Sequence, residues 1–187
     1  MKVLVVFDHP RRDSFCGATL DAFVEGLDDA GHDVEIADLQ AEGFDPRLPP
    51  GDEPDWNSVG KVYSREVLAE QERIARADAI AFVFPVWWWS VPATTKGWID
   101  RVWNKDWAYG SQKISLRKAS LLALCSSDAA HYAKRGYDTA MRTQLVTGIL
   151  DYCGIADASI EFLHGTLGEE SDRKAILARA RDLGRHF

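Results

Sequence analysis

Short uncharged runs rich in β-branched residues recur along this chain, and each is followed by turn residues and then by a stretch of helical spacing. The first, Val3 to Phe7, has no polar residue at all. A strand with one wet face alternates apolar and polar side chains, so an unbroken apolar run predicts a strand buried on both faces, as in a parallel sheet. It stops at Asp8-His9-Pro10. Ser14 then suits the N-cap of a helix reaching about Ala30, with Phe15, Leu20, Phe23 and Leu27 on its apolar face and Gly31 as its stop. Strands are also expected over Asp33–Leu39, Ala79–Phe84, Ala119–Cys125 and Ser159–Leu163. Helices are expected over Ser64–Arg76, Pro92 to about Trp103, Asp138–Tyr152, and Ser171 to about Leu183, with Ser171 as the last cap. A loop rich in Pro, Gly and Asp spans Gly43 to Gly60.

Five strands alternating with five helices predict a three-layer α/β/α sandwich around a five-stranded parallel sheet. Right-handed crossovers leave few topologies, and order 2-1-3-4-5 is the most economical. A ligand then belongs beyond the carboxyl ends of the strands, where the order reverses. With no repeat and no linker, residues 1–187 read as a single domain.

The net charge of −7 gives no support for nucleic-acid binding, which needs a basic face. Three scattered cysteines, Cys16, Cys125 and Cys153, form neither a zinc pattern nor a disulfide framework, so a cytoplasmic location and no metal are expected. The longest uncharged stretch, from Ala79 up to Lys96, is interrupted by Pro85 and Pro92, and membrane insertion is not expected. Six of the seven tryptophans lie from Trp87 to Trp107. Such crowding points to a flat aromatic ligand or a subunit interface, against the alternative of an unusually aromatic core.

Three loops follow the strands that should line the crevice. Asp8 to Cys16 joins a strand to a helix N-terminus, where free amides and the helix dipole favour a phosphate, with His9, Ser14 and Arg11 as side-chain donors. It is neither a G-x-G-x-x-G loop nor a Walker loop. Phe84 to Ala93 sets Trp87-Trp88-Trp89 between two prolines, a wall for a planar ring whose heteroatoms backbone amides would meet; a hydrophobic dimer contact is the competing reading. Cys125 to Tyr132 offers small polar residues to close the crevice, and Tyr132 as a donor to a reduced ring.

These residues together resemble the NAD(P)H:quinone oxidoreductase family of the flavodoxin-like superfamily, including the small flavoproteins that accompany bacterial potassium-efflux systems. The resemblance rests on His9-Pro10 with Ser14-Phe15, and on Asp38-Leu39 followed by Gly43-Phe44-Asp45-Pro46. Its most specific part runs from Phe84-Pro85 through Trp88, Val91-Pro92-Ala93 and Lys96 to Val102, as far as Trp107-Ala108-Tyr109-Gly110. Gly148-Ile149-Leu150 and Tyr152-Cys153-Gly154 extend it over nearly the whole chain.

The resemblance implies a flavodoxin-like fold, a flavin, a homodimer, and ping-pong hydride transfer from NAD(P)H to a quinone or similar aromatic acceptor. By position, His9, Ser14, Phe15, Cys16 and Ala18 would hold the flavin phosphate. Pro85, Val86, Trp87 and Trp88 would line the isoalloxazine ring, and Cys125, Ser126, Ser127 and Asp128 its pyrimidine edge. Tyr132 matches the family tyrosine near the ring, and a partner subunit would complete the acceptor pocket through Trp89 or the loop Trp107–Gly110. FMN is expected, because little chain remains after the last helix to cover an adenine; FAD is the alternative. Departures are Cys125-Ser126-Ser127-Asp128 where the family has Thr-Thr-Gly-Gly, and Cys16 where it has asparagine. Asp138 stands at the family histidine that pairs with the tyrosine, with His131 as a substitute. Asp128 would set a carboxylate where glycine lets backbone approach the ring. Competing functions are an ancillary flavoprotein that regulates a membrane transporter such as a potassium-efflux system, a one-electron carrier, and a flavin-free dimer.

Overall fold

The computed structural model describes residues 1–57 and 60–187; residues 58 and 59, at the end of the Gly43–Gly60 loop, lie outside the described residues. Five strands, β1 (Lys2–Phe7), β2 (Asp33–Asp38), β3 (Ala79–Pro85), β4 (Lys118–Cys125) and β5 (Asp157–His164), form one parallel sheet in the order β2-β1-β3-β4-β5. The helices are α1 (Phe15–Asp29), α2 (Arg65–Arg76), α3 (Ala93–Val102), α4 (Ala129–Arg135), α5 (Tyr137–Met141) and α6 (Glu170–Arg185). This is the flavodoxin-like architecture expected from the strand pattern.

The central strands bury both faces because their side chains alternate between two cores. Val3, Val5 and Phe7 of β1, with Ala81, Val83, Leu122 and Leu124, pack under α1 and α6. Leu4 and Val6, with Ile80, Phe82, Phe84 and Leu121, pack against α2, α3 and the segment after α5. Neither face meets water, which is why these runs carry no polar alternation.

α1 and α6 touch backbone to backbone. A Cβ on Gly26 would come within 2.1 Å of the Arg181 carbonyl oxygen, and one on Gly184 within 2.2 Å of that of Phe23. Glycine is required at both positions by this close approach.

Three expectations are corrected. The segment after β4 is not all loop: Asp128 caps α4, and Gly136, in the left-handed conformation at φ 71°, ends it. Among the residues of α4 only Tyr132 is buried, so no apolar periodicity announced the helix. The expected helix Asp138–Tyr152 begins at Tyr137 and passes from α5 into a wider π-helix over Arg142–Asp151, with Met141, Leu145, Leu150 and Cys153 buried. The last helix starts earlier than Ser171: Glu169 and Asp172 form a reciprocal capping box at its head.

Candidate active site: three loops at one edge of the sheet

Strand register brings the three loops to one edge. Phe7 pairs with Val83, Pro85 with Leu124, and Cys125 with His164, so the chain leaves β1, β3 and β4 side by side.

The first loop starts with a buried anchor. The Asp8 carboxylate accepts hydrogen bonds from the Thr95 amide and hydroxyl, both at 2.8 Å, and from Gln40 Nε2 at 2.9 Å. This ties the end of β1 to the first turn of α3, immediately after the second loop. His9 Nδ1 lies 3.1 Å from the Arg11 amide and 2.9 Å from its carbonyl oxygen. Nδ1 either donates to that carbonyl or accepts from the amide, and in the second tautomer Nε2 carries the proton and is free to donate.

Ser14 Oγ accepts from the Gly17 amide at 3.2 Å, and the Ser14 carbonyl accepts from the Ala18 amide at 3.0 Å. The Phe15 and Cys16 amides keep no acceptor among the described residues, as expected of a first helical turn. These two amides, the Ser14 hydroxyl and His9 form a donor set for a phosphate; Ala18 lies beside it with its amide already used. A Cβ on Gly17 would sit 1.9 Å from the Arg12 carbonyl oxygen, so only glycine lets the loop fold back over the helix head. Burial, reinforced by the nearby Asp8 charge, pushes the Cys16 thiol up to about 12. A neutral thiol adds no charge against a phosphate.

The second loop is a two-residue hairpin. Trp87 and Ser90 exchange backbone hydrogen bonds of 3.3 and 3.1 Å, and Trp88 and Trp89 take left-handed φ values of 50° and 53°. Such turns ordinarily use Asn-Gly or Gly-Gly, and bulky residues in them are strained. All three indoles are nonetheless exposed: Trp87 44%, Trp88 88% and Trp89 38%. By contrast Trp98 and Trp103 lie in the core, so part of the tryptophan cluster is core packing. The Val86 amide is spent on the Leu124 carbonyl at 2.9 Å and that of Trp87 on Ser90, leaving the Trp88 and Trp89 amides to meet ring heteroatoms.

The third loop is clamped from β5. The Cys125 carbonyl accepts from the Thr166 amide at 3.1 Å and hydroxyl at 3.2 Å, and His164 Nδ1 meets the Ser127 carbonyl at 3.0 Å. Ser126 is exposed and Ser127 half-buried. Asp128 Oδ1 accepts from the His131 amide at 2.7 Å, capping α4. Behind the loop lies buried Tyr132, and the Cys125 thiol donates to the Ala123 carbonyl at 3.4 Å. Burial, then the neighbouring Cys125 thiol, raises the phenol well above its usual range, and burial raises Cys125 to about 11. Both stay protonated near neutrality. Asp138 makes no hydrogen bond with Tyr132 among the described residues, and its Oδ1 accepts from the Thr139 amide at 2.8 Å.

Ring contacts join the loops. His9 and Trp87 centroids are 6.2 Å apart, linking the first loop to the second; Trp89 stacks on Tyr137 at 4.2 Å, linking the second to the helices after the third. Tyr137, Asp8 and Thr166 were not among the residues singled out from sequence. A charged residue ending a purely apolar strand was the available signal for Asp8; Tyr137 had none. The arrangement fits a phosphate at the head of α1 and a planar ring along the indole hairpin. Among the described residues no cluster of His, Cys, Asp and Glu is arranged to hold a metal ion, and no helix is long and apolar enough to cross a membrane.

Known proteins share this arrangement of elements. A family model described as the flavodoxin-like fold matches residues 1–187. The uncharacterized NAD(P)H oxidoreductase YcaK of Escherichia coli (strain K12) is 35% identical over 189 residues, covering 97% of this chain and 96% of that protein. The ribosyldihydronicotinamide dehydrogenase [quinone] of Mus musculus is 31% identical, over 95% of this chain and 87% of its own. Among solved structures, an NAD(P)H:quinone oxidoreductase from Methanothermobacter marburgensis superposes with a TM-score of 0.95 at 36% identity, covering 100% of this chain and 96% of that one.

Proposed function

The chain belongs to the flavodoxin-like fold family, and from that premise we propose that it is a flavin-dependent NAD(P)H oxidoreductase delivering two electrons to a quinone-like aromatic acceptor. The observation that carries this reading is the edge-to-edge placement of a phosphate-binding helix head and an exposed indole hairpin. A flavin held there would supply the hydride and electron chemistry that no side chain of this chain provides. The chain itself binds, orients and excludes. The Phe15 and Cys16 amides, Ser14 and His9 hold the phosphate; Pro85, Val86, Trp87 and Trp88 form one wall of the ring site; Ser126 and Ser127 face its other edge. Tyr132, kept protonated by burial, is the proton-bearing group behind that edge.

FMN fits the donor set, which suits a single phosphate, while the nearby Arg12 is engaged by Asp21. The reading extends to a single cytoplasmic flavin-binding domain that pairs with a second copy. Light scattering of the purified protein tests the pairing. Three buried free thiols support a reducing compartment.

The test is an absorbance spectrum of the purified protein before and after anaerobic NADPH, with the released cofactor identified by chromatography. Flavin bands that bleach on addition support the reading. A colourless protein that takes up neither FMN nor FAD sinks it.

A further inference from the structure

Trp89 and Tyr137 make the closest ring contact among the described residues, 4.2 Å between centroids at 29°. The contact is built by backbone geometry. Gly136, left-handed at φ 71°, ends α4 and reverses the chain so that Tyr137 returns towards the hairpin. On its other sides Tyr137 is braced edge-on by Tyr132 at 5.8 Å and by the tilted His131 ring at 5.9 Å. Trp89 in turn meets Trp88 edge-on at 6.0 Å. A column of rings therefore runs from the buried Tyr132 out to the most exposed indole of the hairpin.

That column answers a physical problem. Two adjacent tryptophans in left-handed backbone are costly, and persist only where the surroundings over-determine them. Trp88 itself is 88% exposed and holds nothing in place. The restraint must come from its neighbours, and Tyr137 is the side chain that grips Trp89 from outside the loop.

We propose that Tyr137 is a positioning residue for the acceptor: by stacking on Trp89 it holds the strained hairpin so that Trp88 presents a fixed indole face, selecting fused-ring planar acceptors over single-ring or non-aromatic ones. A bicyclic face gains most from a partner of its own area, and a face already fixed loses no further entropy on stacking. The inference rests on the flavin-reductase reading above.

The experiment compares FMN-loaded wild type with Tyr137→Ala, Tyr137→Leu and Tyr137→Phe. Turnover is measured with 1,4-naphthoquinone and with ferricyanide, which takes electrons without stacking. Naphthoquinone binding without reductant is measured by calorimetry. Loss of one aromatic pair predicts a roughly five- to tenfold rise in naphthoquinone KM and Kd for the Ala variant. Ferricyanide turnover of the FMN-loaded protein stays at the wild-type value, and Phe restores the quinone affinity. Should Ala fail to fold, Leu keeps the volume without the ring face and carries the same expectation. Unchanged quinone affinity in Ala or Leu, equal losses with both acceptors, or no rescue by Phe would overturn the inference while leaving the reductase reading intact. A wild-type chain that takes up no flavin overturns both.

Discussion

Trp88 combines two features that stability alone does not favour, a left-handed backbone and a bare indole. Glycine at this position removes the steric cost of positive φ, offset in part by its greater freedom in the unfolded chain. Trp88→Gly is therefore expected to stabilise the protein by about 1 kcal/mol in urea unfolding while weakening quinone binding. A less stable variant would show that the indole is held by contacts worth more than its strain. Tyr132 is the second residue whose setting decides its use. Its side chain is buried, and burial keeps the phenol protonated. Tyr132→Phe is expected to slow both half-reactions by about tenfold or more, in the range of a lost proton donor. Half-reactions that run at wild-type rates would remove Tyr132 from the mechanism and leave it a packing residue.

At the scale of elements, the Gly43–Gly60 loop does more than connect. Asp52, buried within it, accepts from the Ser64 amide at 2.8 Å and hydroxyl at 2.9 Å, at the head of α2, and from Arg101 of α3 at 2.9 Å. Burial alone would raise its carboxyl, but these bonds outweigh that and hold it below the usual range. A carboxylate with a depressed folded pKa contributes stability above its unfolded value, about 3.9, and loses it as pH falls through the folded one. Asp52→Asn is expected to cost about 1–3 kcal/mol at pH 7, with the gap to wild type narrowing as pH falls below about 4. Urea unfolding of both proteins across that range checks it, and a gap constant with pH would contradict the assignment. α4 makes the complementary point. Its start and stop, Asp128 and Gly136, were present in the sequence, but a seven-residue helix with one buried side chain leaves no periodic signature.

For the whole molecule, the loop edge couples ligand binding to folding. A ligand that binds only the folded chain stabilises it by mass action, about 2.7 kcal/mol at a hundredfold excess over Kd, or several degrees in the melting midpoint for a protein of this size. FMN is expected to produce such a shift, and riboflavin, which lacks the phosphate, far less at the same concentration. Equal shifts would mean that the head of α1 contributes nothing to binding. The strands buried on both faces, the α1 cap at Ser14 and the three loops at the strand ends were legible from residues alone, because they rest on local rules: β-branched runs, helical spacing and capping chemistry; the sheet order followed from those elements through the handedness of parallel crossovers. What tertiary structure alone decided is how those loops are held and which atoms remain free. Asp8 gives its carboxylate to Thr95 and Gln40, Val86 spends its amide on β4, and Tyr137 reaches Trp89 from 48 positions away along the chain. Such choices depend on hydrogen-bond competition and ring contacts between segments distant in sequence, and no local pattern encodes them.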